Sequence, residues 1–397
     1  MQSIHRFDAP PTLPARRFAL WDLGFRPFYL LASTFAALSI PLWALQFSGA
    51  LGHAYLAGPV WHAHEMLFGF ALAVIVGFLF TAGRNWSNQP TPTGLALAAL
   101  AALWVAGRLL VMTPFGWAAA VVNVAFPLAA AVALAIPLIK ARNQRNYFFV
   151  ALMVLMAAAA AFVHAAQLGL ASPLPAGTAL QLGLDVVLFI ISVMSGRVVP
   201  MFTNNGVPHA AACRNPLVEK AALGLVLVLL AADAWGLTGA PLAIVASSAC
   251  IAHALRWLLW QPWKTGKVPL VWVLHLAYAW VPIHLALRAC AALGIVSSSS
   301  ATHALTVGAA GGLIIGMMTR TARGHTARVM RADRFDTTCY LLVLAAGAVR
   351  VLLPLLAPGQ TLVAIQVSAA LWSAGFGLYA VHYWPVLTRP RLDGKPG

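Results

Sequence analysis

Residues Trp61–Phe70 read WHAHEMLFGF, which places two histidines and a glutamate at the head of a run, LFGFALAVIVGFLFTA, that otherwise belongs in hydrocarbon. The surrounding chain explains the setting. It has 9% charged and 61% hydrophobic residues, whereas a soluble domain carries roughly a quarter charged. Apolar runs follow one another, and a helix needs about 20 apolar residues to cross the ~30 Å hydrocarbon layer. Only helices and closed barrels satisfy their backbone there, and long unbroken runs rich in Ala and Leu choose helices.

The expected fold is an all-α polytopic membrane protein with about twelve transmembrane helices and both termini cytoplasmic. The spans fall at 28–48, 62–82, 94–112, 117–139, 147–170, 177–201, 218–236, 240–260, 269–291, 300–320, 336–356 and 361–384, as one transmembrane domain over 28–384 between cytoplasmic tails at 1–27 and 385–397. Basic residues in short loops mark the cytoplasmic side. With the N-terminus inside, the inner loops hold Arg84, Lys140, Arg142, Arg145, Arg214, Lys264, Lys267, Arg320, Arg323, Arg328, Arg331 and Arg334, and the outer loops hold no Lys or Arg. The net charge of +16 therefore orients helices against anionic headgroups. No soluble basic stripe with interleaved aromatics points to nucleic acid.

The Pro-rich N-terminal tail does not read as a cleaved signal. The cysteines, Cys213, Cys250, Cys290 and Cys339, form no CxxC or CxxCH, which removes zinc ribbons and covalent c-type haem.

This topology gives each polar residue a depth. His62, His64 and Glu65 lie at the outer end of span two and His303 at the outer end of span ten, with His164, Asp185 and His284 also in the outer half. His275, His253 and Arg197 are deeper, and His325 is in an inner loop. A lone membrane histidine usually bonds a neighbouring helix, and helix-end arginines usually snorkel; His5, His53, His382, Arg108 and Arg350 are read that way. A charge at the midplane costs ~2.5–3.5 kcal/mol, and a cluster repeats that cost. His62, His64, Glu65 and His303 are therefore read as functional.

At about 100° per residue, Trp61, His62 and Glu65 share one face of span two, whereas His64 points roughly 160° away from His62. The two histidines either serve neighbouring sites, or divide into a ligand and a supporting partner oriented by Glu65, or the helix begins at His64. The face of His62 continues into Gly69, Ala73 and Gly77, and span ten carries Gly308, Gly312 and Gly316. Such stripes mean close helix packing or a flat slot for a porphyrin. Histidine, slot, aromatic neighbours and an arginine are what a b-type haem requires.

WHAHEMLFGF, with GFRPFYLL before it and RNW after it, resembles the NnrS family of bacterial membrane proteins linked to nitric oxide. So do RNY at 145–147, GRVVPMFTNN at 196–205, PLVWVLHLAYAW at 269–280, HALTVGAAGGLIIGMMTRTARGHTAR at 303–328 and the terminal RLDGKPG. The loop reads GHTAR where the family pattern is GHTGR, and His164, His253 and His284 are not family features. The resemblance implies a cytoplasmic-membrane protein that contains haem b, with copper as a second metal, and protects against nitrosative stress. Its characteristic polar residues fall on His62, His64, Glu65, Arg197, Asn204, His275, His303, Arg320 and His325. His62, His64, His303, His275 and His325 are the candidate metal ligands, with Arg197 and Arg320 as further cofactor contacts. Alternatively Arg197, Asn204, Arg320 and His325 form a hydrogen-bonded gate or proton inlet.

The function expected is binding of nitric oxide at haem iron, with reduction to nitrous oxide as the oxidoreductase version. Glu65 then delivers protons. No flavin, nucleotide or iron–sulfur motif is present, so electrons come from quinol or another protein. The rival readings are a transporter of metal, haem or a small anion, and a non-catalytic haem sensor.

Overall fold

The computed structural model describes residues 17–47, 49–52, 55–56 and 58–395. Most of the expected N-terminal tail, with His5, Arg6 and Arg16, lies outside the described residues, as does His53. Among the described residues there is no strand. The described residues form twelve long helices: α1 Phe25–Phe47, α2 Gly58–Ser87, α3 Gly94–Leu110, α4 Gly116–Lys140, α5 Phe148–Gln167, α6 Ala176–Gly206, α7 Pro216–Ala234, α8 Gly239–Leu259, α9 Pro269–Ala292, α10 Ser298–His325, α11 Arg334–Leu356 and α12 Thr361–Thr388.

Each expected span falls on one of these helices. Ten of them are long and apolar enough to cross a membrane. The other two are α3, with 17 residues, and α7, which carries Glu219, Lys220 and Asp233 within 19 residues. The protein is thus a multi-pass membrane protein by length and composition.

Short loops make sequence neighbours pack together, and α12 returns against α1, so the bundle closes on itself. The amide of Ala19 donates to the carbonyl of Thr388 at 2.8 Å, and Arg26 donates to the carbonyls of Leu387 and Arg389 at 3.0 and 2.8 Å. The ring of Phe25 also meets that of His325, the last residue of α10. The start of α1 and the ends of α10 and α12 therefore share one face of the bundle, called here the terminal end. His62 and His303, near the starts of α2 and α10, lie toward the opposite, far end.

Helix α2 is the central element. Its most apolar stretch is 89% buried, against 28% for the segment containing α12. An all-round apolar helix seeks that position, and Phe68, Leu72, Val76, Leu79 and Phe80 are all buried. The two glycine stripes serve this packing. A Cβ on Gly77 would come 2.8 Å from the Phe28 side chain, and one on Gly69 would come 2.6 Å from Arg108 and 2.8 Å from Phe35. Along α10, Gly308 faces Trp280 at 2.5 Å, Gly312 faces Ala277 at 2.7 Å and Gly316 faces Val273 at 2.9 Å. The stripes do not leave the flat slot that was one reading of them, because neighbouring side chains fill the space up to the backbone.

Two helices depart from regular α geometry. Both α2 and α10 contain a π segment, Glu65–Ala71 and Ala304–Gly311. Each begins at the residue after a histidine, His64 or His303. Such wider turns are frequent at functional sites, and a 3.6-residue periodicity does not reveal them.

Candidate functional site

The first half of the site joins α2 to α10. The rings of His62 and His303 lie nearly parallel, 12° between planes and 6.4 Å between centroids. Trp43 of α1 stacks on His62 at 5.3 Å. Nδ1 of His303 donates to the carbonyl of Ser299 at 2.7 Å, which leaves Nε2 as the lone-pair nitrogen. Nδ1 of His62 is buried without a hydrogen-bond partner. Two buried imidazoles are a donor set that would suit a transition-metal ion. Arg350 was expected to snorkel, but its Nη2 donates to Ser299 Oγ at 3.3 Å, next to the residue that orients His303.

The second half joins α2 to α5. His64 points away from His62, as a regular turn requires. Its Nδ1 donates to Oε1 of Glu65 at 2.8 Å, and Nη1 of Arg108 donates to the same oxygen at 2.8 Å. Nε2 of His64 faces Nε2 of His164 at 3.1 Å. Nδ1 of His164 lies 3.0 Å from the hydroxyl of Tyr55, whose ring is parallel to the imidazole. Arg108 was also expected to snorkel. Instead it is buried, bonded to Glu65 and to Oδ1 of Asn123 and flanked by the rings of Phe35 and Trp104. A guanidinium this close to a buried carboxylate gains more from that partner than from the headgroups.

Two further polar clusters sit between α6, α7, α8 and α9. Arg256 grips Glu219 with both ends of its fork, Nε to Oε1 at 2.9 Å and Nη2 to Oε2 at 2.6 Å. Its Nη1 donates to the carbonyl of Ser192 and to Tyr278. His253 completes that cluster, with Nδ1 2.6 Å from the Tyr278 hydroxyl and Nε2 3.2 Å from the Ala222 carbonyl. Toward the far end, Arg288 bridges Asp185 at 2.9 Å and Asp233, and Gln181 donates to Asp185 at 3.0 Å. His284, one turn from Arg288, donates Nδ1–H to the Ala301 carbonyl at 2.7 Å, and its Nε2 is buried without a partner.

A family model for the NnrS protein matches residues 19–391, nearly the whole chain. The chain belongs to the NnrS family. A search of curated proteins finds no match.

In this NnrS protein the remaining family positions have partners of their own, three of them at Phe202–Asn204 near the end of α6. His275 bonds Thr203 through Nε2 at 2.8 Å, and its Nδ1 is buried without a partner. Arg197 donates to Asn146 at 2.7 Å and lies over Trp86, Phe148 and Phe149. Asn204 exchanges two hydrogen bonds with the backbone of Ala212 and so fixes the loop after α6. Arg320 lies 3.6 Å over the ring of Phe202, and the His325 ring packs on Phe25. Among the described residues no direct hydrogen bond joins Arg197, Asn204, Arg320 and His325 to one another; each is held by partners of its own. An arginine that finds an aromatic face or an amide oxygen on the adjacent helix needs no longer network.

Asp333, Asp336 and His382 have the ligand spacing of a metal site at the terminal end. Arg323 already holds both carboxylates at 2.6 Å, and the two aspartates form the capping box of α11. That cluster is an ion-paired helix cap. The residue that sequence reasoning set aside is His164, one imidazole in an alanine-rich run whose meaning depends on which helix packs beside it. Tyr55 was missed because loop residues carry no periodicity.

Proposed function

We propose that this NnrS protein is a haem-containing protein of the bacterial cytoplasmic membrane that binds nitric oxide, with the metal held between His62 and His303. The observation that supports the reading is that parallel pair, with one nitrogen of His62 buried and unpartnered and His303 fixed through Nδ1 by the Ser299 carbonyl, which leaves Nε2 with the lone pair. Haem would supply the iron that takes up nitric oxide, with one of the two imidazoles giving way to the gas. The chain supplies the rest. Ser299 sets the tautomer of His303, Trp43 holds the plane of His62, and Arg350 offers a cation beside the pair for a carboxylate. The neutral, apolar helices around the site admit a small uncharged gas from the lipid and exclude ions.

Turnover to nitrous oxide is the enzymatic form of the same reading. Glu65 is the acidic residue for it: Oε1 is engaged by His64 and Arg108, while Oε2 is buried without a partner and is the atom left to carry a proton. Electrons then come from quinol or a partner protein. Termini on the cytoplasmic side agree with Arg17, Arg26, Arg323, Arg328, Arg389 and Arg391 around the shared terminal end. The decisive experiment is an absorption spectrum of the purified protein with and without nitric oxide. A Soret band that shifts on addition of the gas is expected; a protein without a Soret band removes the proposal.

A further inference from the structure

Arg288 holds a different kind of ion pair from Arg256. Arg256 closes its fork on one carboxylate, Glu219, so one positive charge meets one negative charge. Arg288 gives Nη1 to Oδ1 of Asp185 at 2.9 Å and Nη2 to Oδ2 of Asp233. A single guanidinium thus serves two acids, one on α6 and one on α7, and the two carboxyl groups lie side by side within hydrogen-bonding reach of each other. Gln181 adds a neutral donor to Oδ1 of Asp185 at 3.0 Å. Oδ2 of Asp185 receives no donor, and the residue is 0% exposed. With both acids ionised the trio would carry one negative charge too many, which a buried site disfavours strongly.

The neighbours do not supply the missing charge. The charged groups acting on Asp185 are Arg288 and Asp233. From α8, packed against α7 and α9, His253 has both nitrogens spent on Tyr278 and Ala222. His284 lies one turn from Arg288 on the same face of α9, farther from the far end. Its Nδ1–H is used by the Ala301 carbonyl, so its buried Nε2 is a second acceptor without a donor. Two bare acceptors beside an excess negative charge call for a proton. A hard metal cation needs a shell of oxygens, and a guanidinium already occupies one side of both carboxylates.

We propose that Asp185 and Asp233 share one exchangeable proton, which makes Asp185, Asp233 and Arg288 a proton-binding site loaded from the far end of the bundle. Asp233 and Arg288 are 9% and 8% exposed, so the trio touches the surface at one edge while Asp185 is sealed behind it. The two acids titrate as one unit, and the site fills and empties with the acidity of the far side. Buried acids of membrane helices commonly serve proton relays, and His284 is the acceptor next along α9. The inference does not rest on the haem reading, since none of these residues belongs to the pair His62 and His303.

The test is infrared difference spectroscopy on the full-length protein in detergent at neutral pH, where the carbonyl stretch of a protonated carboxylic acid stands apart from the amide and carboxylate bands. The wild type is expected to show one such acid per chain from this pair, with a band that shifts on transfer to heavy water and fades as the buffer is made alkaline. Asp185→Asn and Asp233→Asn each leave one carboxylate for one guanidinium, so each variant should lose that band entirely. Contributions from other acids, Glu65 included, cancel when a variant is subtracted from the wild type. The proposal is overturned if the band is unchanged in both variants, if only one substitution removes it, if heavy water leaves it unmoved, or if added Na⁺ displaces it. Aspartate labelled with a heavy isotope in its carboxyl group covers the case in which a variant does not fold. The wild-type band should move with the label, and a band that stays in place overturns the assignment.

Discussion

His253 on α8 and His64 on α2 are equally buried, each 0% exposed, yet their nitrogens are used in opposite ways. His253 has Tyr278 on one nitrogen and a backbone carbonyl on the other, and the neighbouring Arg256 is held by both oxygens of Glu219. The cluster is closed, with its bonding capacity spent on joining α6, α7, α8 and α9. Around α2 the capacity is not spent. His62 keeps a bare nitrogen, Glu65 keeps a bare oxygen, and the pair His64 and His164 is satisfied by protein alone only if a proton lies between them. Burial alone therefore does not tell these histidines apart; what differs is whether protein groups partner both ring nitrogens.

Substitutions in the two regions should behave differently. The largest effect is expected for Glu219→Gln, which leaves the Arg256 guanidinium buried without its counter-charge and lowers stability by about 3–5 kcal/mol, read from unfolding in detergent. Metal and haem content per folded molecule should be unchanged. Haem loss at unaltered stability would break the contrast between the regions. Gly196→Ala probes the same cluster by volume. The new Cβ would lie 1.7 Å from Nη2 of Arg256, so the guanidinium must shift, at an expected cost of about 1–3 kcal/mol.

His62→Ala and His303→Ala should show the reverse pattern, with the Soret band lost or shifted and stability reduced by about 1 kcal/mol, the scale of one hydrogen bond. A normal spectrum in both variants makes the α2 region as structural as the α8 region. The smallest effect belongs to the cap of α11. Asp333→Ala removes the capping box and should cost about 1 kcal/mol with no spectral change. Burial raises the pKa of Asp333, but the amide of Asp336 and the charge of Arg323 outweigh it and hold the carboxyl below its ordinary value. Its contribution is present above the unfolded pKa of about 3.9 and fades as pH falls through the lower folded value. A melting-temperature series in acid should show the wild type converging on Asp333→Ala.

The helices were legible because hydrocarbon imposes length and apolarity on every crossing segment, and so each expected span meets one helix. The divergence of His62 and His64 was legible too, since it follows from the turn angle alone. What remained hidden depends on partners from distant sequence. Arg108 and Arg350 look like snorkelling helix-end residues until Glu65 and Ser299 are placed beside them. Gly69 and Gly308 read equally well as a slot or as a seat for a neighbour, and Phe35, Arg108 and Trp280 decide for the seat. His164 offered one imidazole among alanines, and only the packing of α5 against α2 gives it a counterpart.

The hydrogen bonds from Ala19 and Arg26 to the end of α12 have a bearing on assembly. The ribosome releases α1 before α12, so the guanidinium of Arg26 cannot find its carbonyl acceptors until α12 has been made. During insertion α1 is a loose stave, and α12 acts as the hoop. A chain cut short before α12 should leave α1 poorly seated and draw the attention of membrane quality control, even though every histidine discussed above has already been made.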